Sequence, residues 1–182
     1  WSKPNPMPEP VKDRLTKSHE YIFLLTKSKI YYYDHEAIKE PYSDSSIQRI
    51  NQATFDKQTG GGKDYGKVSV HSKNTNSIRG TLEKFKENLG SGRNRRTVWE
   101  ITTKSYPGAH FATFPEEIPE LCIKAGTKAG DVVLDPFVGS GTTCAVASRL
   151  GRESIGIELN EEYLKLALKR CKIESESILS YV

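Results

Sequence analysis

The sequence predicts an α/β fold with a parallel sheet, and three observations support that class. Residues 131–173 run in the order strand, glycine turn, helix, strand, helix, which is the pattern of a βαβα unit. With 182 residues, of which 36% are hydrophobic and 27% charged, the chain can form one α/β domain, or one domain with an insertion. No apolar run approaches the roughly 20 residues that a membrane helix needs, so we expect a soluble protein with no membrane segment.

Residues 1–41 are expected to form an extended loop followed by a hairpin. Prolines at positions 4, 6, 8 and 10 exclude a helix there. Residues 19–34 contain two β-rich runs separated by the polar connection Thr26-Lys27-Ser28-Lys29. Because residues 21–25 are continuously apolar, we expect a strand covered on both faces, and the two runs together predict a hairpin at one side of a buried sheet.

Residues 42–105 are expected to form a separate module. Hydrophobic periodicity fades here, apart from a short strand predicted at 68–70 and a helix at 79–89. Residues 60–104 hold ten Lys and Arg against four Asp and Glu, so the local charge of +6 exceeds the +4 of the whole chain. A basic segment beside a near-neutral one is typical of a module that contacts phosphates, although a solvated insertion would have the same composition.

Residues 106–182 contain the regular elements of the βαβα pattern. A capping box at Thr113-x-x-Glu116 predicts a helix that ends at Gly126, with Pro119 expected to shift or bend its start. Strands are predicted at 131–134 and 154–157, with a helix at 143–150 between them. Asn160 is expected to cap a last helix with basic residues at its end and with a buried stripe formed by Tyr163, Leu164, Ala167, Leu168 and Cys171.

The three cysteines, Cys122, Cys144 and Cys171, indicate a reducing compartment. Their number is odd, and none has the C-x-x-C spacing of a zinc or redox motif. We therefore expect free thiols, no metal site and a cytoplasmic location.

Two acidic residues follow the predicted strands. Asp135 comes directly after the first strand and Glu158 after the second, so both carboxylates should project at the carboxyl edge of the sheet, where open α/β sheets bind ligands. Gly139 and Gly141 would let the backbone approach a ligand closely. An acid after the second strand can accept hydrogen bonds from both ribose hydroxyls of a nucleoside, and Asp135 suits a cationic group.

Three cofactors compete for this geometry. A dinucleotide fingerprint would need Gly or Ala where the chain has Cys144, and it would bring a pyrophosphate close to Asp135. A P-loop needs a lysine after its last glycine, whereas Thr142 follows Gly141. S-adenosylmethionine has a ribose, an ammonium group and no phosphate. Two acids without a phosphate-binding lysine therefore fit S-adenosylmethionine best.

The run Asp135-Pro-Phe-Val-Gly-Ser-Gly-Thr-Thr143 resembles the cofactor motif of the amino-methyltransferases of DNA, which modify N4 of cytosine or N6 of adenine. Residues 110–118, His-Phe-Ala-Thr-Phe-Pro-Glu-Glu-Ile, are similar to the motif that precedes it in the permuted beta order, and residues 1–9 and 16–28 are similar to segments of the catalytic half. The resemblance implies a Rossmann-like S-adenosylmethionine-dependent methyltransferase sheet, incomplete in this chain, with a target-recognition module inserted at 42–105.

The resemblance also implies roles for individual residues. The cofactor would be bound by Phe114, Asp135, Pro136, Phe137, Gly139, Gly141, Thr142, Glu158 and Asn160. Plain core packing is the alternative for the two phenylalanines, and a strand-end cap for the two acids. Within the basic module we expect contacts with duplex DNA from Lys63, Arg93, Arg95 and Arg96, because Arg can bind two guanine acceptors at once while Lys mostly meets phosphates.

No catalytic residue is expected within these 182 residues. The family holds the flipped target base with an Asp/Ser/Asn-Pro-Pro-aromatic loop, and none of the nine prolines here are adjacent. In the permuted order that loop precedes Trp1, on a strand that lies between the strand at 131–134 and the one near Trp1. We therefore expect a missing N-terminal catalytic segment, and an isolated chain that binds cofactor weakly and does not methylate.

The sequence thus predicts the C-terminal portion of a bacterial or phage site-specific DNA methyltransferase of the restriction-modification type, and it leaves open whether a cognate restriction endonuclease exists. N4 of cytosine is favoured because Lys3-Pro-Asn-Pro-Met-Pro-Glu9 looks like members with a Ser-Pro-Pro-Tyr loop; N6 of adenine is the close alternative. Two other classes stay open. An inactive DNA-binding remnant would bind duplex DNA regardless of S-adenosylmethionine, and an RNA or small-molecule methyltransferase would not be inhibited by duplex DNA.

Overall fold

The computed structural model describes residues 1–51, 92–104 and 113–172. The chain divides into two units, one comprising Trp1–Ile38 together with Arg96–Val182 and the other comprising Lys39–Arg95. Within the described residues, the second unit contains helix α1 (Asp44–Ile50), and the first begins with a short 3-10 helix at Glu36–Ile38. No described helix combines the length and the apolar composition that crossing a membrane requires.

The first unit contains a βαβα arrangement preceded by a further helix. Its elements are α2 (Glu117–Gly126), β1 (Val132–Asp135), α3 (Thr142–Arg149), β2 (Glu153–Gly156) and α4 (Glu161–Cys171). The strands pair in parallel, with Val132 opposite Glu153 and Asp135 opposite Gly156. The predicted strands, and the helix between them, are each displaced by one residue from their expected bounds. The α/β class and the parallel pair are therefore confirmed.

Helix α3 lies at the centre of the packing. On one side, its fully buried Val146 and Ala147 join Ile123 of α2, with Val133 of β1 packed against them. Toward α4, Cys144 packs with Val138 and Ala167. Burial of a side chain such as Val146 contributes about 1.5–3 kcal/mol, so α3 holds the sheet and the two other helices together.

The start of α2 differs from the prediction. The helix begins at Glu117, its N-cap residue is Glu116, and no side chain caps it, so the capping box predicted at Thr113 is wrong. Pro119 explains the shift. At the third helical position a residue has no intrahelical acceptor for its N–H, so proline costs no hydrogen bond there, whereas a helix starting at Thr113 would place it in the interior.

The cap and stripe of α4 are confirmed. The Asn160 side-chain oxygen accepts hydrogen bonds from the Glu162 N–H at 2.9 Å and the Tyr163 N–H at 3.4 Å. Ala167 is buried, and the other four stripe residues are half-buried, while Lys165 and Lys169 on the opposite face are exposed. Lys172 ends the helix in the left-handed region, with φ of 56°.

Residues 19–34 do not form the predicted hairpin. No strand occurs there, and the side chains of Tyr21, Phe23 and Leu25 are 72–88% exposed. Only the start of the segment pairs with other backbone: the Glu20 N–H donates to the Trp1 oxygen, and Ser2 lies beside both residue 19 and residue 100. A strand needs a neighbour to satisfy its backbone groups, and within the described residues none lies beside 21–25.

The elements predicted at 68–70 and 79–89 lie outside the described residues, and so does Lys63.

Candidate functional site

The two predicted acids are brought to one edge of the sheet. Asp135 is the last residue of β1, and Glu158 follows β2 by two residues. Between them the loops are joined through Ile157, whose N–H donates to the Asp135 backbone oxygen at 2.9 Å and whose oxygen accepts from the Val138 N–H at 3.0 Å. The register of the parallel ladder thus continues past the strand ends, as the position of the two acids after neighbouring strands predicts.

Glu158 is oriented by backbone donors. Its Oε2 accepts the Gly139 N–H at 2.8 Å, and its Oε1 accepts the Asn160 N–H at 2.9 Å. These bonds tie the carboxylate to the glycine turn on one side and to the start of α4 on the other. A carboxylate has about four acceptor positions, so these two hydrogen bonds do not by themselves use up what the group can accept.

Asp135 is fixed by its own turn. Its Oδ1 accepts the Phe137 N–H at 3.0 Å, so the orientation of the carboxylate is set within the turn that follows β1. Pro136 is exposed, and Phe137 is 87% exposed. Phe137 is therefore not a core residue, and its ring is available to an apolar part of a ligand.

The turn between β1 and α3 depends on glycine. Gly139 and Gly141 have φ of 51° and 83°, in the left-handed region that favours glycine. A Cβ at Gly141 would lie 2.8 Å from the Ala167 Cα, so α4 packs directly on this backbone. Ser140 and Thr142, on either side of Gly141, are buried at 2% and 4% exposure. The glycine turn is thus a rigid part of the packing between α3 and α4.

Two arginines meet beneath the turn at Glu116, a cluster that the sequence analysis missed. Arg149 Nη1 donates to Glu116 Oε2 at 2.8 Å, and Arg170 Nη2 donates to Glu116 Oε1 at 2.7 Å. These hydrogen bonds hold the pKa of Glu116 below its ordinary value. One signal in the sequence points to the cluster: Arg170 follows Ala167 by three residues, so it lies near the buried face of α4.

An apolar groove of about 520 Å³ lies along β1. β1 pairs with β2, and within the described residues no strand pairs with its other edge. Val132 and Leu134 are 53% and 61% exposed there. Further lining is provided by α2 and by Trp1, Glu20, Tyr21, Ile22, Phe114 and Thr143. Phe114, which is 39% exposed, is thus part of a groove wall rather than of the closed core.

The candidate DNA contacts have different surroundings. In the second unit, Arg93 and Glu40 exchange two backbone hydrogen bonds of 2.8 and 3.0 Å. Arg93 Nε also lies 3.0 Å from Glu40 Oε1, an ion pair without the alignment of a hydrogen bond. Arg95 is half-buried and Arg96 is exposed.

Comparison with known proteins identifies the family. The model of the DNA methylase family, which covers N6 and N4 methyltransferases, matches residues 1–169. The chain is 45% identical over 170 residues to the type II methyltransferase M.SmaI of Serratia marcescens, covering 93% of this chain and 44% of that protein. It is 42% identical over 179 residues to the type II methyltransferase M.Cfr9I of Citrobacter freundii, covering 98% of this chain and 45% of that protein.

Among solved structures, M1.HpyAVI in complex with SAM is similar, with 35% identity and a TM-score of 0.38 over 41% of this chain and 37% of that one. The chain thus spans less than half the length of these relatives. The family match covers nearly all of the chain and agrees with the resemblance of its motifs. The chain belongs to the DNA methylase family of N6 and N4 amino-methyltransferases.

Proposed function

We propose that this chain is the donor-binding and target-recognition portion of a site-specific DNA methyltransferase. The complete enzyme transfers a methyl group from S-adenosylmethionine to an exocyclic amino group of a flipped base in duplex DNA. The observation that carries the proposal is the 42–45% identity to two type II methyltransferases across 93–98% of the chain. Their type II names also favour a restriction-modification system with a cognate endonuclease.

The methylated base is proposed to be cytosine, at N4, with N6 of adenine as the alternative. The support is the motif at residues 3–9. The target-recognition module is residues 42–105, where Lys63, Arg93, Arg95 and Arg96 contact phosphates or base edges.

The residues at the carboxyl edge of the sheet fit the chemistry of S-adenosylmethionine. Asp135 can bind the cationic amino group of its methionine end, and Glu158 can accept hydrogen bonds from its ribose. Both carboxylates already accept backbone hydrogen bonds from the loops that they flank, so little reorganisation is needed when a donor binds. The glycine turn contains no lysine, which suits a ligand without phosphate.

The contribution of this chain is positioning. When bound, S-adenosylmethionine supplies a methyl group on a sulfonium centre, which an amino nitrogen of a base can attack. Asp135 and Glu158 hold the two ends of the donor, and Phe114 and Phe137 offer apolar surface beside it. Holding a reacting group in one geometry removes entropy from the barrier, so these residues can affect the rate without taking part in bond exchange.

The catalytic Pro-Pro-aromatic loop is proposed to lie on a segment outside these residues that adds a strand to β1. Support comes from the chain's coverage of less than half of each relative and from the apolar groove beside β1. An added strand would cover Val132 and Leu134 and would satisfy the backbone groups of that edge. Its other side would face the apolar residues 21–22 of the opposite wall.

The donor site is tested by neutralising each acid in the complete polypeptide. Calorimetry with S-adenosylmethionine should show weaker binding for Asp135→Asn and for Glu158→Gln. A hydrogen bond to a charged group is worth about 1.5–3 kcal/mol, which corresponds to roughly 10–100-fold in Kd.

Two further acids serve as matched controls. Asp131 lies before β1, at the opposite end of the strand, and Glu161 is exposed in the first turn of α4. Asp131→Asn and Glu161→Gln should leave the Kd unchanged. Undiminished donor binding by both site variants would refute the assignment of this site.

The activity is tested by methyl transfer to duplex DNA and by methylation-sensitive sequencing of a host that expresses the complete gene. Modified cytosine or adenine at one sequence is expected. If the protein binds duplex DNA equally well with and without S-adenosylmethionine and does not methylate it, the result would favour an inactive DNA-binding remnant. Methyl transfer to another substrate that duplex DNA does not inhibit would favour an RNA or small-molecule methyltransferase.

The segment proposal has its own test. These 182 residues alone should not methylate, and co-expression with the remaining segment should restore activity. Methylation by the 182 residues alone would show that the catalytic groups lie within them.

A further inference from the structure

Arg170, in the last turn of α4, connects three elements through one side chain. Its Nη1 donates to Thr142 Oγ1 at 2.9 Å and lies 3.3 Å from Ser140 Oγ, and its Nη2 donates to Glu116 Oε1 at 2.7 Å. The side chain is only 19% exposed, although Lys169, the preceding residue, is exposed. Interaction with the helix dipole explains a basic residue at this end of α4, but it does not explain a guanidinium directed at two hydroxyls of another element.

The two hydroxyls need such a partner. Ser140 and Thr142 are almost completely buried, and a buried hydroxyl without a hydrogen bond costs roughly 1–3 kcal/mol. A guanidinium offers five donors in a fixed plane, so it can serve both hydroxyls and a carboxylate at once. Glu116 balances the charge of Arg170 and makes its burial acceptable.

These bonds fix the turn at points other than the one that Glu158 holds. Gly139 donates its N–H to Glu158, and the next residue, Ser140, is held by Arg170. Thr142, which begins α3, is held by the same guanidinium. The backbone between these points contains Gly141, whose conformational freedom would otherwise let the turn rotate away from Glu158.

We infer that Arg170 is a positioning residue for donor binding: by anchoring Ser140 and Thr142 it keeps the Gly139 N–H, and with it the Glu158 carboxylate, in the orientation that receives the ribose. This inference rests on the proposed donor site. Arg149 also forms an ion pair with Glu116, but it contacts neither the Ser140 nor the Thr142 hydroxyl. It can therefore stabilise the fold through Glu116, but it does not hold the turn.

The test compares Arg170→Met with Arg149→Met in the complete polypeptide. Arg170→Met should raise the KM and Kd for S-adenosylmethionine on the order of tenfold, the size expected when hydrogen bonds from a charged group no longer hold the turn, while kcat at saturating donor changes little. Arg149→Met should lower the thermal stability and leave the donor KM unchanged. Arg170→Lys should recover only part of the affinity, because an ammonium lacks the planar fork.

Each outcome decides the question. Equal donor KM values for Arg149→Met and Arg170→Met, or a change in stability alone for Arg170→Met, would overturn the inference. If Arg170→Met does not fold, Ser140→Ala removes one hydroxyl partner of Arg170 without altering a residue expected to bind the cofactor, and it should raise the donor Kd; an unchanged Kd would then overturn the inference. Loss of binding in Glu158→Gln but not in Arg170→Met would defeat only this inference, whereas no binding by the unaltered enzyme would defeat the proposed function.

Discussion

Replacing Gly141 by alanine should destabilise the protein through two separable effects. The backbone there has φ of 83°, which costs an L-residue about 1–2 kcal/mol. The new Cβ would also lie 2.8 Å from the Ala167 Cα and 3.0 Å from its Cβ, closer than van der Waals contact. Because the first of these atoms belongs to the backbone of α4, it cannot rotate away. Overpacking of this kind costs about 1–3 kcal/mol, so we expect a total of about 2–5 kcal/mol.

Gly130 provides the matched control. It has the same φ of 83°, but an added Cβ would meet nothing within 4 Å. Gly130→Ala should therefore lower the free energy of unfolding only by the cost of the left-handed backbone conformation, about 1–2 kcal/mol. Urea unfolding of the complete protein, followed at several wavelengths to check for a two-state transition, measures both variants. Equal losses of unfolding free energy would show that α4 does not pack on the turn as described.

Two further predictions concern charge. Hydrogen bonds from Arg149 and Arg170 lower the pKa of Glu116 from 4.5 in the folded state. The ionised carboxylate therefore stabilises the folded state at pH values above 4.5. This stabilisation is lost as the pH falls through the lowered pKa of the folded protein. Glu116→Gln should thus be less stable than the wild type at pH 7 in urea unfolding, although solvent moderates the difference because the Glu116 side chain is 39% exposed. The difference should shrink as the pH falls below 4.5, and a difference that stays constant with pH would contradict the ion pairing. In a salt titration, Arg95→Ala and Arg96→Ala should each reduce the slope of the logarithm of the duplex binding constant against the logarithm of the salt concentration by about one. Lys165→Ala on α4 should leave that slope unchanged. Unchanged slopes for both arginine variants would exclude phosphate contacts by these residues.

The elements around α3 could be predicted because their determinants are local. A short apolar run, a glycine turn and an Asn cap each act within a few residues, and the parallel pairing of β1 with β2 follows from the helix between them. Thr113 shows the limit of such signals. The Thr-x-x-Glu pattern is compatible with a capping box, but Pro119 decides where the helix can begin.

Contacts between distant segments could not be predicted in this way. Gly156 lies in an ordinary strand sequence, yet a Cβ there would be 2.9 Å from Val138 Cγ2 and 3.1 Å from Cys144 Sγ. In the sequence, Arg170 is one of several basic residues at a helix end. Its hydrogen bonds to Ser140 and Thr142 become evident only from the packing of α4 on the turn. Positions of this kind depend on which surfaces meet, and neither periodicity nor composition contains that information.

The hairpin that did not form and the exposed edge of β1 have a common physical cause. Residues 21–25 have strong β propensity, but propensity stabilises a strand only when a neighbouring backbone pairs with it. The exposed Tyr21 and Ile22 line the same groove as Val132 and Leu134. One inserted strand would therefore account for both features, by pairing with β1 and by covering the apolar run across from it. The βαβα elements form as predicted because their partners lie within the described residues, and this contrast supports the proposed addition of a strand from the catalytic segment.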